Sequence, residues 1–167
     1  MAPRFEQLID RHHAELFAHL WRLLGKARGS DSALEVEDLV QEVFLRAYKN
    51  YARLRPDSNP RAWLYKIATN CAFTKLRRVK KWREKASELG NRAIQSSDSP
   101  GRAPMAARLR SLVGDLPAKQ RTCVTLRYLQ DLDYAEIAQT LNCSEESARA
   151  NVYQGIQRLR AKFKEEL

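Results

Sequence analysis

Polar side chains suited to hydrogen bonding with DNA bases are concentrated between positions 144 and 157. The members of this group are Ser147, Arg149, Asn151 and Gln154. They alternate with apolar residues at helical spacing, so a single helix would bury the apolar side and present the polar one. In the major groove arginine favours guanine and asparagine favours adenine. The spacing therefore predicts a helix that reads DNA.

That helix is the second of two helices predicted between residues 133 and 163. Asp133 and Glu136 form a capping-box pair at the start of the first helix, and Ser144 is suited to cap the second. Asn142 falls at the turn, where asparagine tolerates a left-handed backbone. A short turn between two such helices is typical of a helix-turn-helix motif, whose second helix enters the major groove. An ordinary helical hairpin within a bundle is the alternative.

The chain as a whole is strongly basic. Its 167 residues carry a formal net charge of +10, which favours a polyanionic partner, either nucleic acid or an anionic membrane. The sequence contains no apolar run of about 18 residues, and its N-terminus lacks the apolar core of a signal peptide. We therefore expect a cytoplasmic, nucleic-acid-binding protein that does not insert into a membrane.

The densest group of cations lies in the run TKLRRVKKWREK at positions 74–85, which holds seven cations and one acid. This density predicts a surface that binds DNA phosphates. A solvated helix end is the alternative, because cations there also suit the helix dipole. Aromatic residues near the run are of the kind that stack on unpaired bases. They are Tyr65, Phe73 and Trp82, together with Trp63, which we assign to the core.

Other kinds of chemistry have little support in the sequence. His12 and His13 are adjacent, so a helix would place them about 100° apart and not on one metal-binding face. Cys71, Cys123 and Cys143 are too widely spaced for a zinc site or a disulfide framework, and we expect them to be buried. Walker, GxSxG, HExxH and DxD patterns are absent. We expect no enzyme activity, no cofactor and no metal.

Apolar spacing predicts an all-α protein made of two small helical domains. The first domain is of a three-helix type, and the second has four helices and includes the helix-turn-helix. In the first domain we expect helices over 5–24, about 35–54 with Tyr48 on its buried side, and from an Asn59 cap to about 76. A segment rich in Ser, Gly and Pro separates the two parts and predicts a flexible linker. The resulting boundaries are 1–86, linker 87–104, and 105–167.

Three stretches resemble the bacterial RNA polymerase sigma factors, and specifically their extracytoplasmic-function (ECF) group. EDLVQEVFLRAYKN resembles the family's second conserved region. NPRAWLYKIATNCAFTKLRR is similar to the adjoining segment that melts and reads the −10 element. The stretch from LPAKQRTCVTLRYLQ to QGIQRLRAKF resembles the fourth region, which reads the −35 element.

The resemblance implies a specificity subunit with three kinds of contact residue. Docking on the clamp of core RNA polymerase falls to Asp38, Gln41, Glu42 and Arg46. Capture of the −10 strand falls to Asp57, Ser58, Asn59 and Asn70, and phosphate binding beside it to Arg77, Arg78, Lys80 and Lys81. Contact with the −35 duplex falls to Ser147, Arg149, Asn151, Tyr153 and Gln154. Promoter DNA and core polymerase are the implied partners, and members of this family are commonly held inactive by an anti-sigma factor.

The recognition helix departs from the family pattern at Asn151, which stands where relatives often carry a cation. Because asparagine can pair with adenine through two hydrogen bonds, we expect a −35 preference different from the family norm. A free-standing helix-turn-helix regulator that binds duplex DNA without polymerase is the alternative function.

Overall fold

The computed structural model describes residues 4–25, 31–90 and 105–165, and every regular element in these ranges is an α-helix. In chain order the helices are α1 (Phe5–Leu24), α2 (Ser32–Tyr51), α3 (Pro60–Glu88), α4 (Met105–Gly114), α5 (Ala118–Tyr128), α6 (Tyr134–Leu141) and α7 (Glu145–Glu165). The predicted all-α class, with three helices followed by four, is confirmed. No helix in the described ranges has the length and apolar character needed to cross a membrane.

The first three helices pack against one another through apolar side chains at helical spacing. Their fully buried residues include Leu16, Leu20, Val40, Val43 and Leu64. Burying a side chain of this size contributes roughly 1.5–3 kcal/mol, so a few turns of each helix suffice to hold the three together. Trp63, which the sequence assigns to the core, packs against this cluster while partly exposed.

Helix α2 begins and ends about three residues earlier than the sequence predicts. Tyr48, which was expected on its buried side, is 65% exposed, and that prediction is wrong. Ala47 and Phe44 already fill the space toward the core, and a helix turns by about 100° per residue, which places Tyr48 on the outer side. Its ring instead meets Phe5 edge-on at the rim, with the centroids 5.2 Å apart.

The start of α3 is fixed by its own sequence. The Asn59 side-chain oxygen accepts hydrogen bonds from the backbone N–H groups of Arg61 and Ala62, at 3.0 and 3.2 Å. Pro60 occupies the first helical position, where the missing N–H leaves no bond unmade. The helix then continues to Glu88, two residues into the segment that the sequence assigns to the linker. Leu89 and Gly90 follow in a turn, and residues 91–104 of that segment lie outside the described residues.

The predicted helix-turn-helix is present as α6, a short turn and α7. Asp133 and Glu136 form the expected capping box, and Asn142 has φ 51° and ψ 53°, the left-handed conformation that ends α6. Ser144 Oγ then accepts a hydrogen bond from the N–H of Ser147 at 3.1 Å. At each end of the turn, backbone groups of the adjoining helix form hydrogen bonds with a nearby side chain or backbone group. Because these partners are close in the sequence, the sequence predicts the turn well.

Helix α7 lies close against α5 at Gly155. A Cβ atom at this position would come 2.7 Å from Val124 Cγ2, closer than carbon atoms tolerate. The absence of a side chain therefore sets the distance between the two helices. This contact holds the recognition helix in a fixed orientation on its support.

The two halves of the chain pack on each other in this structure. Helix α3 contacts α6, and α1 contacts α4 and α5. Leu126, Leu132 and Ile137 of the second half belong to the same buried cluster as the core of the first three helices. The apolar cluster is thus continuous across both halves, and polar residues from the two halves contact each other beside it.

Candidate nucleic-acid interface

The outer side of α7 offers a polar surface at its N-terminal end. Arg149, Tyr153 and Gln154 are exposed, with Tyr153 at 65%. The Arg149 guanidinium lies 4.9 Å from the centre of the Tyr134 ring, and the Arg127 guanidinium lies 5.0 Å from the same centre. Stacking on an aromatic ring restricts a guanidinium without using its hydrogen bonds. The Arg149 donors therefore remain available to DNA, whereas Arg127 Nη1 already donates to the Leu132 backbone oxygen at 3.1 Å.

Two further predicted −35 residues, the partly buried Asn151 and the exposed Gln154, already make side-chain hydrogen bonds within the protein. The Asn151 side-chain nitrogen donates to the backbone oxygen of Ser147 at 2.9 Å. Pairing with adenine requires both the nitrogen and the oxygen of the amide, so Asn151 has to rotate before it can read a base in that way. The Gln154 side-chain oxygen accepts from Gln120 at 3.1 Å, which leaves its nitrogen free to donate.

The last three turns of α3 carry the cationic run away from the core. Arg77, Arg78, Lys80 and Lys81, the residues predicted to contact phosphates, are all exposed. Lys80 lies 3.9 Å from Glu84, an exposed pair that contributes little to stability. Arg78 and Lys81 make no ion pair with any residue that the structure describes. Their charge is accordingly available to a polyanion.

The aromatic residues beside this run divide sharply by exposure. Tyr65 is fully buried, Phe73 is partly buried, and Trp82 is 68% exposed. Burial raises the pKa of the Tyr65 hydroxyl above its ordinary value and keeps it protonated as a hydrogen-bond donor. Of the aromatic residues near the run, Trp82 is therefore the one whose ring is open to an unpaired base.

The predicted −10 residues do not all lie free at the surface. Asp57 and Asn70 are exposed, and Ser58 is partly buried in the turn that precedes α3. Asn59 is occupied twice, since its oxygen caps α3 while its nitrogen donates to Glu136 Oε1 of α6 at 3.1 Å. Asn70 thus has the more accessible amide, and Asn59 is engaged with the helix-turn-helix.

The predicted polymerase-binding residues share the outer side of α2. Asp38, Gln41, Glu42 and Arg46 are all exposed, and Arg46 forms an ion pair with Glu42 one turn away. A groove of about 320 Å³ lies beside them between α2 and α3, with Asp38, Glu42, Cys71 and Arg78 among the residues that line it. Leu45 and Tyr48 add exposed apolar area to this surface. Neither residue was among the predicted polymerase-binding residues. Leu45 could have been found from its spacing, since it falls outside the apolar repeat.

A second group of polar residues, which no pattern in the sequence indicated, lies where the two halves meet. Gln130 is 5% exposed, and its side-chain oxygen accepts from the Tyr65 hydroxyl at 2.6 Å. Arg61 Nη2 donates to the Gln130 backbone oxygen at 2.9 Å, and Arg61 Nε donates to Glu15 at 3.2 Å. These pairs are 46 to 69 positions apart in the chain. No local pattern could have revealed them.

The cysteines and histidines are placed as structural residues. Cys71 and Cys123 are buried, and burial raises the pKa of both thiols, that of Cys123 to about 12. Cys143 was also expected to be buried, and that prediction is wrong: it is partly exposed in the turn between α6 and α7. His12 pairs with Glu15, and His13 lies 2.8 Å from Glu37. Across the ranges 4–25, 31–90 and 105–165, no three His, Cys, Asp or Glu side chains are grouped as metal ligands.

Comparison with known protein families gives two matches that follow the order of the helices. Residues 8–83 match Sigma-70 region 2, and residues 106–159 match Sigma-70, region 4. The first match contains the α2 surface and most of the cationic run. The second contains the helix-turn-helix.

Individual proteins show the same similarity along most of the chain. The RNA polymerase sigma-H factor of Pseudomonas aeruginosa is 31% identical over 161 residues, which cover 89% of this chain and 80% of that protein. The ECF RNA polymerase sigma-E factor of Escherichia coli K12 is 33% identical over 131 residues, which cover 71% and 69%. The fold is similar to that of sigma factor RpoE, solved in complex with the anti-sigma factor NepR from Bartonella quintana. In that comparison the TM-score is 0.76, the identity is 22%, and 96% of each chain is covered.

Proposed function

The chain belongs to the ECF group of RNA polymerase sigma factors, which are transcription initiation factors and not enzymes, and on that premise we propose how it reads a promoter. It directs core polymerase to DNA by contacting a −35 duplex and capturing an opened −10 strand. One observation carries this proposal: the chain has two polar DNA-compatible surfaces on different helices, around Arg149 of α7 and around Asn70 of α3. We assign residues 1–86 and 105–167 to the two corresponding functional units.

The −10 strand is captured by the N-terminal and middle parts of α3. Asn70 is exposed and can both donate to and accept from a base edge. Asp57, Ser58 and Asn59 supply further polar groups at the preceding turn. Arg77, Arg78, Lys80 and Lys81 hold the neighbouring phosphates, which gives affinity without sequence information. Removing a base from the stack costs only a few kcal/mol, so no catalytic group is required.

The −35 duplex is read by the N-terminal half of α7. Arg149, Tyr153 and Gln154 are exposed there, and Ser147 and Asn151 lie beside them. Each good bidentate contact to a base contributes roughly 1–3 kcal/mol of discrimination. The Asn151 amide can pair with adenine only after it gives up its hydrogen bond to the Ser147 backbone oxygen. Its side chain therefore takes up the base-reading conformation when DNA binds.

Core polymerase docks on the outer side of α2. Asp38, Gln41, Glu42 and Arg46 provide the polar contacts, and the exposed side chains of Leu45 and Tyr48 provide apolar area in the same surface. Interfaces of this kind combine a polar rim with an apolar centre. We also assign an anti-sigma factor as a regulatory partner, in line with the complex in which the similar RpoE chain was solved.

Run-off transcription with core polymerase on promoter fragments tests the proposal. We expect specific transcripts with the wild-type chain, and a loss of at least about tenfold with Asn70→Ala, the fold-change that corresponds to about 1.4 kcal/mol. Asn50→Ala is the matched control, because Asn50 is also exposed but donates to the Arg46 backbone. Tight, specific binding of duplex DNA by the isolated chain, with no effect of polymerase, would instead identify a free-standing regulator.

A further inference from the structure

We propose that Tyr134 is a positioning residue for −35 recognition, because its ring holds the Arg149 guanidinium in the orientation in which it pairs with a guanine. The inference rests on the proposed reading of the −35 duplex by α7. It adds a residue of α6 that is not among the predicted DNA contacts, and it assigns a base to Arg149.

The Tyr134 ring is fixed at the start of α6. Asp133, the residue before it, caps the helix by accepting a hydrogen bond from the Glu136 backbone N–H at 2.8 Å. The ring is half-buried and packs against the apolar cluster. The Arg127 guanidinium lies 5.0 Å from the ring centre, and its Nη1 is itself held by the Leu132 backbone oxygen at 3.1 Å. The helix cap, the core and an anchored side chain therefore all restrict the ring.

Arg149 lies on the second turn of α7 and shares this ring. Its guanidinium carbon is 4.9 Å from the ring centre, inside the limit of about 6 Å for an attractive contact between a cation and an aromatic face. The Arg149 side chain is exposed, and exposed side chains otherwise change rotamer within picoseconds to nanoseconds. The contact with Tyr134 thus restricts the direction in which the guanidinium leaves the helix.

Arg149 is held differently from the other polar side chains of α7. The Asn151 nitrogen donates to the Ser147 backbone oxygen, and the Gln154 oxygen accepts from Gln120, so each uses a hydrogen-bonding group within the protein. A guanidinium that stacks through its face keeps its N–H donors free. Arg149 can therefore meet a base with its side chain already placed and its donors available.

The presence of two cations at one ring makes the ring more important. The guanidinium groups of Arg127 and Arg149 repel each other, while the negative face of the Tyr134 ring attracts both. Without the ring, Arg149 would turn away from Arg127 into solvent. In the major groove an arginine donates to O6 and N7 of guanine together. Because both bonds form in the plane of the base, a guanidinium held in one orientation suits guanine better than a freely rotating one.

Loss of the ring should weaken base discrimination more than DNA affinity in general. Ordering a flexible side chain on binding lowers affinity by a factor of about two to ten. That loss arises only where Arg149 is ordered on its base, so it affects the preferred sequence and not the substituted one. Tyr134→Leu should therefore lower the preference for guanine at the base pair that Arg149 reads. Tyr134→Phe keeps the ring and should keep the preference.

A base-substitution series on the −35 duplex tests the proposal with the full-length chain bound to core polymerase. Arg149→Ala first identifies the base pair that Arg149 reads, since substituting that pair should no longer change affinity. Tyr134→Leu should reduce discrimination at the same pair about twofold to tenfold and leave the other pairs unchanged. Added to Arg149→Ala, Tyr134→Leu should have no further effect, because it acts through Arg149. Tyr128→Leu, at an exposed tyrosine of α5, is the matched control and should alter no pair.

The stack can also be observed in the free chain without DNA. The ring current of Tyr134 should displace the NMR signal of the Arg149 Nε–H group. Tyr134→Leu should return that signal to its ordinary position, whereas Tyr134→Phe should leave it displaced. Circular dichroism establishes that each variant is folded, and Tyr134→Met replaces Tyr134→Leu if the latter unfolds.

Several outcomes would overturn the positioning role. Tyr134→Leu with unchanged discrimination is one, and an equal loss at every −35 pair, as expected of a merely structural residue, is another. Effects of Tyr134→Leu and Arg149→Ala that multiply in the double variant, or an Arg149→Ala effect at a pair without guanine, would also refute it. If core polymerase has no effect on promoter binding by the wild-type chain, the sigma-factor mechanism fails, and the same variants on the free chain still decide the role of Tyr134.

Discussion

His19 should make the folded protein sensitive to mild acid. The side chain is fully buried on α1, where its Nε2 lies 3.3 Å from Thr69 Oγ1 and its ring meets Tyr65 edge-on at 4.9 Å. Burial, reinforced by the nearby Arg22 charge, lowers the pKa of His19 from 6.5 to about 3. The folded protein therefore keeps this imidazole neutral at pH values where the unfolded chain protonates it.

The sign and size of the effect follow from that difference. Between about pH 6.5 and pH 3 the unfolded state binds one more proton at His19 than the folded state, so the free energy of unfolding falls as the pH is lowered. At about 1.4 kcal/mol per pH unit, His19 contributes a loss of about 2 kcal/mol at pH 5. The full loss approaches roughly 5 kcal/mol near pH 3. Above about pH 7 the histidine adds no pH dependence.

Urea unfolding at pH 7.5 and pH 5, followed by circular dichroism, measures this loss. We expect His19→Gln to lose less stability than wild type between the two pH values, by about 2 kcal/mol, because glutamine has no proton to bind. His13→Gln is the matched control, since the His13 side chain is 42% exposed and lies beside Glu37. An equal loss on acidification in wild type and His19→Gln would refute the reasoning.

Three further changes test the packing and the DNA surfaces. Gly155→Ala should lower the free energy of unfolding by about 1–3 kcal/mol despite its gain in helix propensity, because the new Cβ meets Val124. In a denaturant series, adding Val124→Ala to the same chain should restore most of the lost free energy. Full stability in the single variant Gly155→Ala would contradict the contact. Lys81→Ala should reduce the slope of log affinity for promoter DNA against log salt by about 1, the change expected for one lost phosphate contact, whereas the solvent-facing Lys164→Ala should leave that slope unchanged. Asn151→Arg should shift the preferred −35 base from adenine toward guanine in a base-substitution binding series, and an unaltered preference would show that Asn151 does not read the base.

The helix-turn-helix could be predicted closely because its determinants are local. Asp133 and Glu136 cap α6 from three residues apart, and Asn142 adopts the left-handed conformation that its side chain tolerates. The Asn59 cap followed by Pro60 marks the start of α3 in the same way. Such contacts join neighbours in the sequence, so the sequence displays them directly.

The parts that escaped prediction depend on contacts between distant residues. Tyr48 fits the apolar repeat of α2, yet smaller residues already fill the core on that side and leave it exposed. Gln130 has no distinguishing neighbours in the sequence, and its partners Tyr65 and Arg61 lie 65 and 69 positions away. The same holds for the bond between Asn59 and Glu136, 77 positions apart. Only the packed arrangement of the helices brings these groups together.

The unequal burial of the three cysteines provides a natural attachment point for a fluorescent dye. Maleimide reagents attack thiolates, and Cys71 and Cys123 are both buried and held in the protonated form. Cys143 is partly exposed in the turn that leads into the recognition helix. Brief labelling of the wild-type chain should therefore modify Cys143 first. A dye at that turn would report the arrival of duplex DNA in real time without any engineered residue.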